Sequence, residues 1–133
     1  MNFKMRGIWK YSHLLPYIDE NAKLTLGEGN TPLIKSRRLG RQLGIDHLYF
    51  KLEIVNPSGS YKDRFAACAI SDLAQKNINF CIATSSGNTG AALSAYCAVA
   101  GIKCYISVVD GAPIGKMQQM QVYGAQTLMI KNF

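Results

Sequence analysis

Residues 80–109 have the sequence FCIATSSGNTGAALSAYCAVAGIKCYISVV, and this stretch decides the fold. Two short apolar runs, 80–84 and 103–109, flank a segment of small residues, 88–100, that is closed by Gly101. Apolar runs of this length bounded by turn residues are typical of buried strands, and the segment between them has the length of a helix. The stretch therefore predicts a strand–helix–strand unit.

The same alternation continues on both sides of this unit. Residues 61–76 and 114–123 have apolar positions at helical spacing, residues 126–130 form a further apolar run, and residues 47–54 alternate like a half-buried strand. Strands and helices that alternate at this spacing predict an α/β fold with a parallel sheet and right-handed crossovers. We expect helices to flank both faces of the sheet, because parallel sheets are buried on both sides.

The N-terminal part of the chain has weaker patterns. Residues 37–43 predict a short helix ended by Gly44, and the aromatic residues before Pro32 could form a short helix or a cover over the core. We therefore divide the chain into an N-terminal segment, 1–55, and an αβαβαβ portion, 56–133. Because the last predicted strand is followed by only three residues, we expect the architecture to be incomplete and its C-terminal remainder to be absent.

Composition and charge narrow the functional classes. The chain has 133 residues, of which 48% are hydrophobic and 17% are charged, as in globular domains. Its net charge of +7 is spread along the chain, and the longest run of like charge is Arg37-Arg38. A nucleic-acid partner is therefore not predicted. No apolar stretch has the length of a signal peptide or a membrane helix, so we expect no membrane partner and a cytoplasmic location.

The cysteines predict reduced thiols and no metal site. None of the four lies in a C-x-x-C pattern, and the two histidines are far from them in sequence. Apolar neighbours surround each one, which is typical of buried, reduced thiols. These residues are Cys68, Cys81, Cys97 and Cys104.

Two loop-to-helix junctions carry residues that could take part in catalysis or in ligand binding. The first, 56–64 (NPSGSYKDR), places Lys62 in the first turn of a helix. The positive end of the helix dipole and partial burial both favour the neutral amine of a lysine, which is the nucleophile of covalent catalysis. The alternative is a surface lysine paired with Asp63.

The second junction, 85–90 (SSGNTG), again follows a strand and opens a helix. Its hydroxyls, its side-chain amide and the unpaired backbone N–H groups of the helix could bind a carboxylate or a similar anion. The alternative is a plain helix cap provided by Ser86 or Asn88. Both junctions lie at the carboxyl ends of strands, the edge at which open α/β sheets bind ligands.

Together these motifs resemble the fold-type-II enzymes that depend on pyridoxal 5'-phosphate (PLP), the tryptophan synthase β family. The resemblance covers about residues 27–133 and rests on the two junctions together with 28–33 (EGNTPL), which is similar to the family's early substrate-side motif. Within the family the pattern is most similar to that of the threonine synthases, with 115–119 (GKMQQ) and 123–125 (YGA) as further matches. Threonine dehydratases and cysteine synthases share most of it.

The resemblance implies roles for individual residues. Lys62 would bind PLP covalently as the Schiff-base lysine and then move protons at the substrate's Cα and Cβ. Asn88 would bond the ring hydroxyl of the cofactor. Lys116 would lie near the substrate's phosphate, or else be an ordinary surface lysine. The carboxylate of the amino-acid substrate would be bound by Ser85, Ser86 and Thr89.

The implied activity is that of a PLP-dependent lyase, which in the threonine synthases converts O-phospho-L-homoserine into L-threonine and phosphate. The glycine-rich loop with which the family binds the PLP phosphate has no counterpart in this sequence. We therefore expect the chain alone to be inactive and to need a second chain that supplies the C-terminal part, or to self-associate. The alternative from a different class is a non-catalytic fragment or interaction module.

Overall fold

The computed structural model describes residues 7–131, so the outer ends of the two predicted segments, residues 1–6 and 132–133, lie outside the described residues. Nine helices and strands, apart from 3-10 turns, follow one another in this range. They are β1 (Leu33–Lys35), α1 (Leu39–Gln42), β2 (Tyr49–Lys51), α2 (Lys62–Gln75), β3 (Phe80–Thr84), α3 (Asn88–Ala100), β4 (Lys103–Val109), α4 (Ile114–Val122) and β5 (Gln126–Ile130).

The predicted parallel sheet is confirmed for three strands. They are hydrogen-bonded in the order β3-β4-β5, and both neighbouring pairs are parallel. Because consecutive strands are neighbours in one direction, right-handed crossovers place α3 and α4 on the same face of the sheet. Helix α3 packs between α2 and α4.

The core lies between this helical layer and the sheet. Along β4, Cys104, Ile106 and Val108 are buried, and they alternate with partly exposed residues. The opposite face of the sheet carries Ile82 and Leu128, which are 68% and 53% exposed. Within residues 7–131, helices therefore cover one face of the sheet and not the two that we predicted.

The strand predicted at 47–54 is correct only in part. Strand β2 contains three residues, Tyr49–Lys51, and pairs antiparallel with β1 in a separate two-stranded sheet. Both of its faces are exposed, whereas the alternating pattern predicted one buried face. Alternation predicts an extended segment but does not identify its partner strand, and here the partner is local.

The N-terminal residues cover part of the core, which was one of the two alternatives for this segment. A 3-10 helix at Gly7–Leu14 buries Ile8 and Trp9. The indole Nε1 of Trp9 donates to the carbonyl of Leu24 at 2.6 Å, and the amide of Leu24 donates to Ser71 Oγ on α2 at 2.9 Å. Among residues 7–131, no helix combines the length and the apolar character needed to cross a bilayer.

All four cysteines are free, and three of them meet in the core. Cys81 and Cys104 are register partners on β3 and β4, and Cys97 faces them from α3. Their three Sγ atoms lie within 4.8 Å of one another, and all three residues are buried. Cys68 on α2 is half-buried. The spacing of the cysteines along the chain therefore gave no indication that three of the thiols lie close together.

Candidate active site

Three helices begin at one edge of the sheet, and each brings a predicted site residue to it. Helices α3 and α4 follow the carboxyl ends of β3 and β4, so Asn88 and Lys116 lie in their first turns. A short connection joins the end of α2 to the start of β3, so α2 runs opposite to that strand. Its first residue, Lys62, is therefore at the same edge.

Lys62 is half-buried, and no carboxylate neutralises its ammonium group within the described residues. Its Nζ lies over the ring of Tyr61, 4.8 Å from the centroid. The backbone amide of Lys62 donates to Ser60 Oγ at 3.3 Å. The amine is therefore held against the loop that precedes α2 and has no ion-pair partner among the described acids.

Asp63 does not pair with Lys62, so the surface ion pair considered as the alternative is not formed. Its side chain is fully buried and accepts hydrogen bonds from the amide of Ser58 at 3.0 Å and from Ser58 Oγ at 2.7 Å. A carboxylate in the first turn of a helix that binds the preceding loop satisfies free donors and suits the helix dipole. Asp63 therefore stabilises the backbone that presents Lys62.

At the second junction the N-cap residue of α3 is Gly87, and the side chain of Ser85 binds the free amides. Its Oγ accepts hydrogen bonds from the amides of Gly87 at 3.3 Å and of Gly90 at 3.0 Å, so the alternative of a cap by Ser86 or Asn88 is not formed. Two acceptor bonds occupy the lone pairs of this hydroxyl and leave its O–H group able to donate. Ser85 can therefore bind these amides and still offer one hydrogen bond to an anion.

The other residues of this junction supply further donors. Ser86 and Thr89 are half-buried and Asn88 is exposed. Among residues 7–131 no acceptor binds the backbone amides of Asn88 and Thr89, which belong to the first turn of α3. Free amides and hydroxyls at a helix N-terminus suit a carboxylate.

Lys116 lies half-buried in the first turn of α4. Its Nζ donates to Oε1 of Gln119 at 2.9 Å, and Nε2 of Gln119 donates to the carbonyl of Ser58 at 3.0 Å. Lys116 is therefore connected through one side chain to the loop of Lys62, and it is more than a free surface lysine. The ammonium group keeps donors for a second partner.

The early motif 28–33 supports the site from inside the protein. Glu28 is fully buried and accepts four hydrogen bonds, from the amides of Ile8 and Leu26, from Thr25 Oγ1 and from the hydroxyl of Tyr96 on α3. Burial raises the pKa of Tyr96 far above its usual range, and the negative charge of the Glu28 carboxylate adds a smaller contribution. Glu28 therefore joins the motif to α3.

A second carboxylate, Glu53, joins the same motif to α2. Arg64 donates to it from Nε and Nη2 at 3.0 and 2.9 Å, Thr31 Oγ1 donates at 2.7 Å, and Asn56 Nδ2 donates at 2.9 Å. The hydrogen bonds from Arg64, with smaller contributions from Thr31 and Asn56, lower the pKa of Glu53 to about 2 against the opposing effect of burial.

The glycine of this motif keeps Arg64 close. Gly29 has φ +87°, and a Cβ at that position would lie 2.9 Å from Nη1 of Arg64. The amide of Gly29 donates to Oδ1 of Asn56 at 2.8 Å. A side chain at this position would therefore be strained and would displace the guanidinium group.

The depressed pKa of Glu53 predicts a loss of stability in acid. The Glu53 contribution is complete above the ordinary pKa of 4.5 and disappears as the pH falls towards about 2, because protonation breaks the bonds to Arg64. We expect a loss of about 1–2 kcal/mol of unfolding free energy over that interval, a value reduced for the solvent screening of a side chain that is 26% exposed. Urea unfolding at pH 5, 4 and 3 measures it.

The variant Glu53→Gln tests this assignment, since it should remove that part of the pH dependence. Glu20→Gln is the matched control, because Glu20 is exposed and pairs only with Lys23 among the described bases. An unfolding free energy of Glu53→Gln that falls between pH 5 and pH 3 as steeply as that of the parent would contradict the assignment.

Sequence analysis missed the residues that fix the Lys62 loop. An acid in the first turn of a helix commonly binds free amides near the helix start, which points to Asp63, but the capping pattern has a spacing of three residues and does not point to Ser58, five residues before it. Each of Cys81 and Cys104 is the second residue of its predicted strand, which is a signal of their register. Nothing local to Gln119 indicates a partner 61 residues away.

Comparison with known proteins gives one family. The sequence profile of the family described as "Pyridoxal-phosphate dependent enzyme" matches residues 24–132. The threonine synthase of Methanocaldococcus jannaschii is 38% identical over 126 residues, 94% of this chain and 31% of the relative. The threonine synthase of Halalkalibacterium halodurans is 42% identical over 123 residues, 92% of this chain and 34% of the relative.

A solved structure agrees with this family. A pyridoxal 5'-phosphate-dependent aspartate racemase superposes with a TM-score of 0.71 at 33% identity, covering 76% of this chain and 33% of the racemase. The chain thus spans about a third of the length of the curated relatives and of the structure that it matches.

Proposed function

Because the chain belongs to the pyridoxal-phosphate dependent enzyme family, we propose that it carries the covalent cofactor lysine and the substrate-carboxylate site of a threonine synthase. The reaction would be that of a carbon–oxygen lyase, in which O-phospho-L-homoserine loses phosphate and gains water at Cβ to give L-threonine. The names of the curated relatives and the arrangement of Lys62, Asn88 and Lys116 support this proposal.

The residues present fit the cofactor. An amine that is half-buried and has no described carboxylate partner can react with an aldehyde, and the loop that holds it is fixed by the buried Asp63. Donors in the first turn of α3 begin at the same edge of the sheet. When bound, PLP supplies an electron sink for negative charge at the substrate's Cα.

The chain's own residues would perform the remaining work. Lys62 would take and return protons at Cα and Cβ. Asn88 would orient the PLP ring by a hydrogen bond to the hydroxyl group of that ring. Lys116 would pair with the substrate's phosphate by a charge-assisted hydrogen bond.

The carboxylate of the substrate would be bound at the start of α3. Ser85 retains one donor, Ser86 and Thr89 contribute hydroxyls, and the free amides of the first turn add two more donors. Several donors that converge on one anion fix its orientation as well as its position. The Cα–H bond would then face Lys62.

The observation that carries the proposal is that the side-chain nitrogen of Lys62 has no carboxylate partner among the described residues and is held in a fixed loop. It predicts that PLP labels a single lysine. In the full-length protein, incubation with PLP, reduction with borohydride and peptide mass spectrometry should place the label on Lys62. Lys62→Arg should abolish that label, and Lys103→Arg is the matched control because Lys103 lies on β4 away from the site. A label on Lys51 or Lys116, with Lys62 unmodified, would contradict the assignment.

Substrate assays separate the remaining candidates. Phosphate and L-threonine released in equal amounts from O-phospho-L-homoserine would support a threonine synthase. Turnover of L-threonine or of a cysteine precursor alone would identify a threonine dehydratase or a cysteine synthase-like enzyme. The likeness to an aspartate racemase also favours an assay for racemisation. A labelled Lys62 without any turnover would indicate a non-catalytic module.

A further inference from the structure

One side chain connects α4 to the loop that carries the cofactor lysine. Gln119 Nε2 donates to the carbonyl of Ser58 at 3.0 Å, across 61 residues of sequence. Ser58 is buried, so water has little access to this carbonyl as a replacement donor. A buried carbonyl that loses its donor is destabilised by more than the modest net value of an exchanged hydrogen bond.

Lys116 fixes the orientation of the Gln119 amide. The ammonium group of Lys116 can only donate, and it binds Oε1 of Gln119 at 2.9 Å. The amide oxygen must therefore face Lys116, which turns the NH2 group towards Ser58. Nε2 also lies 3.4 Å from the hydroxyl of Tyr123, the residue that directly follows α4. Lys116 and Tyr123 thus both contribute to the orientation of the Gln119 amide.

The backbone of Ser58 is held on both of its sides. Asp63 accepts from its amide and its hydroxyl, and Gln119 donates to its carbonyl. The next residue, Gly59, has φ +87°, so the chain turns sharply between this anchor and Lys62. A displacement of Ser58 would therefore also displace the first residues of α2.

We propose that Gln119 is a positioning residue that holds the Ser58–Lys62 loop so that the Lys62 amine faces the cofactor. The inference rests on the proposed function, in which Lys62 is the lysine that binds PLP. Gln119 touches neither cofactor nor substrate in this assignment. It acts through Ser58, and Lys116 keeps it in the orientation that permits this.

Two variants of the full-length protein test the inference. Gln119→Leu removes all three hydrogen bonds of this side chain, and Gln119→Glu keeps an acceptor for Lys116 but cannot donate to Ser58. The control is Gln121→Leu on the same helix, since Gln121 is exposed and donates only to Thr127 Oγ1 among the described acceptors, at 2.9 Å. The first measurement is the ratio of borohydride-trapped PLP on Lys62 to that on the other lysines, at limiting PLP.

We expect that ratio to fall about tenfold in both Gln119 variants and to match the parent in Gln121→Leu. The second measurement, hydrogen exchange without PLP, should become faster in residues 58–62 of both Gln119 variants, while exchange in β4 stays slow. This local pattern separates a misplaced loop from a general loss of stability.

The outcomes also separate this inference from the proposed function. A parent protein without preference for Lys62 would refute the proposed function and the inference together. A parent that labels Lys62, with the same preference and the same exchange in Gln119→Leu and Gln119→Glu, would refute the positioning role alone.

Discussion

Replacing Glu28 with alanine is expected to remove about 3–5 kcal/mol of unfolding free energy, because each buried donor left unpaired costs about 1–3 kcal/mol, and this is a large part of the stability of a domain of this size. Glu28 is fully buried, and its carboxylate accepts four hydrogen bonds. Alanine would leave four donors without this acceptor, and two of them, the amide of Ile8 and the hydroxyl of Tyr96, are buried. The N-terminal cover and α3 would then lose their shared partner.

Glutamine at the same position should be less damaging. Oε2 of Glu28 accepts from three donors, whereas Oε1 accepts only from the amide of Ile8. A glutamine oxygen in the Oε2 position would keep the three bonds and would present its NH2 group to a single amide. We therefore expect Glu28→Gln to lose about 1–3 kcal/mol.

Urea unfolding followed by circular dichroism measures both variants. Glu20→Ala is the matched control, because the side chain of Glu20 is 56% exposed. This substitution should change the unfolding free energy by less than about 0.5 kcal/mol. If Glu28→Ala unfolds at the same urea concentration as Glu20→Ala, the buried carboxylate does not support the fold as argued.

The uncovered face of the β3–β5 sheet is expected to make the 133-residue chain self-associate when it is produced alone. Within residues 7–131 the helices lie on the other face, and Phe80, Ile82 and Leu128 project from this one. Contiguous exposed apolar groups on a sheet are a typical site of association. A second copy that packs its own uncovered face here would remove these side chains from water.

A charge on that face should prevent the association. The double variant Ile82→Lys/Leu128→Lys is expected to weaken the self-association constant at least about a hundredfold, since each substitution places an ammonium group in the interface. Val122→Lys is the control, because Val122 is exposed at the end of α4, away from the sheet face. Sedimentation velocity over a range of concentrations measures all three proteins.

A parent chain that sediments as a monomer at every concentration would refute the prediction. A double variant that associates as strongly as the parent would place the contact on another surface.

Local patterns were sufficient for the parts of the fold that are built from consecutive elements. The strands at Phe80–Thr84, Lys103–Val109 and Gln126–Ile130 and the helix at Asn88–Ala100 have the predicted bounds. Each has a clear apolar period and a glycine or polar turn at its end, so short-range preferences and tertiary packing agree.

Long-range contacts were beyond such patterns. The burial of Glu28 contradicts the usual exposure of acids and depends on donors from three separate segments. The contact between Gln119 and Ser58 needs the crossover geometry of the whole sheet. For the same reason the sequence offered Lys62 as a candidate but gave no sign of most of the residues that hold its loop.

The unequal burial of the cysteines makes the chain convenient to label with a fluorophore. Cys81, Cys97 and Cys104 are enclosed in the core, whereas Cys68 is half-buried on α2, six residues after Lys62. A maleimide dye should therefore attach to one position without any prior mutagenesis. Burial, with a smaller contribution from Asp72, raises the pKa of Cys68, so the coupling proceeds faster in mildly alkaline buffer. The attached dye would then report on the helix that begins at Lys62.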